Sequence, residues 1–127
     1  MLNQIKLMPV FKCRQEESIV DIAKKLKESI QRHIFVVDED DYPIGIISTT
    51  DMNNRVVAQG KDPNKLKAKD IMTKGIEVYD IDEDEIKVFN EMKQNRRMAV
   101  VVIKNKKFEG ILSFNALLNH ITSAVRR

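Results

Sequence analysis

The sequence contains no tryptophan, one cysteine, two histidines, three prolines and four glycines in 127 residues. The glycines do not cluster, which excludes a glycine-rich phosphate loop. A lone Cys13 excludes an internal disulfide and fits a reducing compartment. Cys13 lies between Lys12 and Arg14 at an expected strand end and reads as a structural thiol. His33 and His120 are far apart, and no two ligating residues stand at metal-binding spacing, so no metal site is expected. No apolar run approaches the roughly 18 residues of a membrane span. Met1–Val10 lacks a basic region followed by an apolar core, so no signal peptide is expected and the cytoplasm is the expected location. No serine or cysteine has a visible supporting base, and neither an enzyme nor a catalytic cofactor is expected.

What remains is an ordinary globular composition, 43% hydrophobic and 32% charged. The branched apolar runs Ile34–Val37 and Val100–Ile103 exclude disorder, and the length suffices for a core without staples. The net charge is +3, from 22 basic and 19 acidic residues, with the two signs interspersed. That pattern describes a mixed solvated surface with a mild bias toward small anions. Aromatics make up 6% and none interleave with a basic cluster, which argues against nucleic-acid binding despite a pI near 9.0.

The chain repeats itself. Gly45-Ile46-Ile47-Ser48 recurs as Gly110-Ile111-Leu112-Ser113, an offset of 65 residues. An apolar run precedes each: Ile34-Phe35-Val36-Val37 and Ala99-Val100-Val101-Val102-Ile103. Before those runs stand Arg32-His33 and Arg96-Arg97, and before these an amphipathic segment. Each copy therefore predicts strand, helix, strand, turn, strand, helix.

In the first copy Ile19, Ile22, Ala23, Leu26 and Ile30 share one helix face, with Ser18 as cap and Asp21 three residues on. His33–Val37 and Ile44–Ser48 form a hairpin turning at Asp38–Pro43, and a helix is expected over about Thr50–Ala58. In the second copy Asp82 is the expected cap, with Glu85 as its box partner. The hairpin there turns at Lys104–Lys107, and Phe114, Leu117, Leu118, Ile121 and Val125 line the last helix. The linker is Gly60–Lys65, where Asp62-Pro63 opens a short helix running toward Met72 and ended by Gly75. The expected division is 1–60 and 61–127, together one globular module.

The order of these features resembles the CBS domain family, over nearly the whole chain. The marks are Gly45–Asp51 at the end of the first hairpin, Asp70-Ile71-Met72-Thr73 opening the second copy, and Arg97–Val102 as its central strand. The resemblance implies an α/β (α+β) fold of two repeats, each β-α-β-β-α, packed through their sheets with pseudo-twofold symmetry. It also implies clefts holding adenosine nucleotides such as AMP, ADP or ATP, and modules that pair as homodimers.

Ser48 and Thr50 place hydroxyls where a strand turns into a helix, where backbone N–H groups favour a phosphate. Asp51 offers a carboxylate that can accept two hydrogen bonds from a ribose diol. The same residues also fit a plain helix cap, with Ser48 or Thr50 capping and Asp51 in the first turn. The resemblance implies that Ile71, Met72 and Thr73 line the adenine pocket, with Met98 as pocket wall. It implies that Arg97 and Arg96 reach the phosphates, for which the arginine fork is suited. At the equivalent second position, 65 residues on, stands Ala116, which cannot accept a ribose hydroxyl. A weaker second cleft would use Arg32, His33, Ser113 and Asn115. The sequence thus points to a regulatory nucleotide sensor acting on a separate protein or through its own dimer. A ligand-free interaction module is the other reading.

Overall fold

The computed structural model describes residues 1–29 and 31–125. Ile30 and the side chain of Val125, both assigned to apolar helix faces above, lie outside the described residues. The chain forms two compact units, Phe11–Ile76 and Met1–Val10 with Glu77–Arg127.

In the first unit, β1 (Lys12–Arg14) leads into α1 (Ile19–Ser29), and β2 (His33–Val37) turns back as β3 (Pro43–Ser48). β1 pairs parallel with β2, and β2 pairs antiparallel with β3. Ser18 caps α1 as expected, its Oγ accepting from Asp21 N–H at 3.1 Å. The helix buries Ile19, Ile22 and Leu26 against Ile34, Val36 and Ile47 of the hairpin. Each such side chain contributes about 1.5–3 kcal/mol by leaving water. The second unit repeats the plan with β4 (Val78–Asp80), α4 (Glu85–Gln94), β5 (Ala99–Lys104), β6 (Lys107–Ser113) and α5 (Phe114–Val125). Its hairpin turns on Asn105 and Lys106, both at positive φ (53° and 62°), as a two-residue hairpin loop with right-handed strand twist requires. The β-α-β-β-α order expected of each repeat is therefore present twice. Among the described residues no helix is long and apolar enough to cross a membrane.

Three local expectations change. The cap of α4 is Asp84, which accepts from Lys87 N–H at 3.0 Å, rather than Asp82. Asp82 sits in the preceding turn, where its N–H donates to Asp80 Oδ1, and Glu85 becomes the first helical residue. The linker helix is broken in two: a 3-10 turn at Pro63–Lys65, then α3 at Ala68–Ile71. Asp62 does cap the first piece. The break arises because Ile19 N–H bonds to Leu66 O while Ala68 N–H bonds to Glu17 O, which pulls the linker flat against the β1–α1 loop. Finally, the helix after β3 is one α turn, α2 (Thr49–Met52), continued by a π turn at Asn53–Val57.

The compact units differ from the 1–60 and 61–127 division in a specific way. Thr73, just before β4, bridges Ile46 of the first hairpin, and Met8, just before β1, bridges Ile111 of the second. Each repeat's leading segment thus packs on the other repeat's hairpin, and the boundaries fall at 10/11 and 76/77.

Cys13 is buried in β1, and burial, followed by the Glu17 carboxylate, pushes its thiol up to about 12. Thiolate is then scarce at neutral pH. The native protein is expected to resist a thiol-reactive chromogen at pH 8 and to react within seconds once unfolded by denaturant. Rapid labelling of the native state would show that β1 opens readily.

Candidate functional site

β3 alternates buried and half-buried residues and ends at Ser48, the last extended residue (φ −111°, ψ 165°) before α2. There Ser48 and Asp51 form a reciprocal capping box. Asp51 N–H donates to Ser48 Oγ at 3.0 Å, and Ser48 N–H donates to Asp51 Oδ2 at 2.8 Å. Ser48 is therefore a cap, and one oxygen of Asp51 is committed to the backbone. The other oxygen, Oδ1, has only a long ion pair, 3.8 Å to Arg55 Nε. The Asp51 side chain is 19% exposed.

The backbone donors expected to receive a phosphate are mostly occupied. Thr49 N–H bonds to Arg32 O at 3.0 Å and Asp51 N–H to Ser48 Oγ, leaving Thr50 N–H as the free donor among residues 49–51. Thr50 itself is exposed on the surface.

α3 and its exit supply the second part of the site. Ile71 is 3% exposed and its side chain packs in the core cluster of the first unit. Its carbonyl oxygen accepts from Arg55 Nη1 at 2.7 Å. Met72 is half-buried against Gly45, where a Cβ would stand 2.9 Å from Met72 Sδ and 3.0 Å from Thr73 O. Thr73 is exposed, and its backbone is tied to Ile46 in both directions, at 2.9 and 3.0 Å. Ser48, Asp51 and the Ile71 carbonyl are thus joined through one side chain, Arg55. The sequence reading overlooked Arg55, although its spacing of four from Asp51 on an expected helix is an ion-pair signal.

The second unit carries the counterpart of the Ser48 hydroxyl but not of the Asp51 carboxylate. Ser113 Oγ accepts from Ala116 N–H at 3.1 Å, half of the same box. Ala116 has no group to return the bond, and it packs against the core instead. Asn115 is exposed on α5. Arg96, Arg97 and Met98 belong to this unit. Arg96 adopts φ 56° in the turn after α4. Arg97 Nε lies 3.2 Å from Glu77 Oε1, and Glu77 Oε2 is buried without a hydrogen-bond partner. Met98 is 70% exposed. Arg32 and His33 are exposed in the first unit, at the start of β2, with His33 opposite Ser48 in the hairpin. The four residues assigned to a second cleft are thus divided between the units, Arg32 and His33 in one, Ser113 and Asn115 in the other.

The family model of the CBS domain matches residues 4–58 and 68–123. The chain belongs to the CBS domain family. It is 35% identical over 106 residues to the protein MK0525 of Methanopyrus kandleri, covering 80% of this chain and 53% of that one. It thus spans about half the length of that relative. It is 31% identical over 106 residues to YlbB of Bacillus subtilis, covering 83% of this chain and 71% of that one. Among solved structures, it resembles Staphylococcus aureus OpuCA with a TM-score of 0.74 at 16% identity, over 93% of this chain and 97% of that chain. It also resembles a hexameric CBS-CP12 protein from bloom-forming cyanobacteria, with a TM-score of 0.66 at 27% identity, over 92% and 68%. The pair of CBS repeats read from the sequence is what the fold contains.

Proposed function

We propose that this CBS pair is a regulatory module of the cytoplasm, without catalytic activity, that binds an adenosine nucleotide. AMP, ADP and ATP are the ligands considered. Occupancy would be passed on through a separate protein partner or the module's own dimer. The observation that supports this most is the Asp51 carboxylate. Its Oδ2 is locked by Ser48 N–H while its Oδ1 holds, among the described residues, only the 3.8 Å ion pair to Arg55, which leaves it as an acceptor for a ribose diol. Ser48 Oγ, which accepts from Asp51, keeps its own hydrogen to donate. Ala116 at the equivalent second position supports one ribose-binding site per chain.

The test is a calorimetric titration with AMP, ADP, ATP, S-adenosylmethionine and NAD, using the wild type, Asp51→Ala and Asp51→Asn. The asparagine variant keeps an acceptor for Ser48 N–H and so separates capping from ligand contact. We expect saturable binding near one site per chain. It should fall about 100-fold or more in both variants, since a charged hydrogen bond contributes about 1.5–3 kcal/mol and two are lost. Undiminished binding in both variants would move the site away from Asp51. Arg97→Ala in the same titration tests the phosphate role implied for Arg97 and its neighbour Arg96. An absence of heat with every ligand would favour the ligand-free interaction module.

A further inference from the structure

Arg55 stands where the two parts of the candidate site meet. It projects from the π turn Asn53–Val57, an irregularity that is frequent at functional sites. Its Nε faces Asp51 Oδ1 at 3.8 Å, and its Nη1 donates to Ile71 O at 2.7 Å. Both acceptors belong to residues a nucleotide would contact. The Arg55 side chain is 42% exposed, and among the described residues its remaining donors carry no hydrogen bond. A ribose hydroxyl approaching Asp51 Oδ1 therefore meets a cation already placed against that oxygen.

We infer that Arg55 sets the specificity of this site, admitting nucleosides that carry their own phosphate and disfavouring those that do not. The inference rests on the reading of Asp51 as the ribose acceptor. A neutral nucleoside that takes Asp51 Oδ1 competes with the 3.8 Å Arg55 contact and offers the fork nothing in return, a modest penalty for a side chain 42% exposed. A phosphorylated nucleoside displaces the same contact and offers phosphate oxygens to the same fork. Discrimination then arises from a repulsive element as well as an attractive one. The scarcity of free N–H groups at Thr49–Asp51 strengthens the case, because the phosphate charge needs a partner and the backbone offers little.

The experiment measures AMP and adenosine affinities side by side for wild type, Arg55→Met and Arg55→Lys, with melting temperatures to establish folding. In the wild type AMP should bind at least about 30-fold tighter than adenosine. In Arg55→Met that ratio should fall about 10-fold or more, with adenosine binding tightened several-fold. Arg55→Lys, which keeps the charge without the fork, should lie between. An unchanged ratio would make Arg55 a plain cap on the α3 carboxyl end and overturn the inference. Weaker AMP binding with adenosine unaltered would overturn it too, reducing Arg55 to a phosphate contact. If neither ligand binds wild type or variant, the ribose-site reading fails, and this inference fails with it. Should Arg55→Met not fold, the Arg55 Nε–H resonance of the wild type decides. AMP should move it, whereas a resonance unmoved at saturating AMP would overturn the inference.

Discussion

Leu2→Ala is expected to destabilise the protein by about 2–5 kcal/mol, the range for emptying a buried leucine site in a close-packed core. Leu2 is fully buried, although it is the second residue of the chain. It fills the cluster of Tyr79, Val88, Met92, Val100, Val102, Leu112 and Leu117, whose residues come from the second repeat. A 3-10 turn at Leu2–Gln4 holds it there, and Met8 continues the attachment through its pairing with Ile111 at 2.8 and 3.2 Å. The size of the effect is diagnostic. If Met1–Val10 were a loose leader, Leu2→Ala would cost nothing measurable in a urea titration. With Leu2 as core, the midpoint should drop while the slope stays constant, because the unfolding unit is unchanged. Met1→Ala is the control: its side chain is half-exposed, and the shift should stay within about 0.5 kcal/mol.

That Leu2 is core shows where the sequence was legible and where it was not. The repeat order was readable because strand and helix periods are local. Ile19, Ile22 and Leu26 mark a face by spacing alone, and Val100, Val101 and Val102 mark a strand by branching. The exchange of leading segments was not readable, because the rest of the core cluster that Leu2, Ile5 and Leu7 join begins at Tyr79, more than seventy residues away. Pairing of Met8 with Ile111 spans over a hundred residues, and no local pattern encodes it. The same distinction applies to the site. Ser48 and Asp51 stand three apart on a strand-to-helix turn, so a cap at Ser48 or Thr50 was legible from spacing, and the structure selects Ser48 with Asp51 returning the bond. The pocket role of Ile71 came from the family resemblance and not from spacing, which shows only that the residue is apolar, and its side chain joins the core cluster. Asp82 lost the cap to Asp84 because both aspartates of the acidic run fit the cap preference, and only the turn geometry selects one. The contact through Arg55 needed the π turn, which shifts side-chain directions away from those of a regular helix.

Gly110→Ala should destabilise by about 1–3 kcal/mol or more, a large effect for adding a single methyl group. The cause is proximity and not backbone conformation. A Cβ at Gly110 would lie 2.7 Å from Leu7 Cβ, closer than a Cβ tolerates, and a tight 3.0 Å from Met8 O. Neither neighbour yields easily, because Met8 is paired to Ile111 and Leu7 packs against the core cluster. Gly45→Ala meets the analogous obstacle, but its nearest atom is Met72 Sδ at 2.9 Å, the end of a flexible side chain. We therefore expect Gly45→Ala to cost less than Gly110→Ala, although the two glycines hold the same place in the repeat. Pairing Gly45→Ala with Met72→Ala should recover part of the loss, since the clashing sulfur is removed. Pairing Gly110→Ala with Leu7→Ala should recover little, since Leu7 keeps its Cβ. Thermal melts of the four single and two double variants check the order. Equal costs at the two glycines, or equal rescue of both, would show that the leading segments are held less firmly than the Met8–Ile111 and Thr73–Ile46 pairings require.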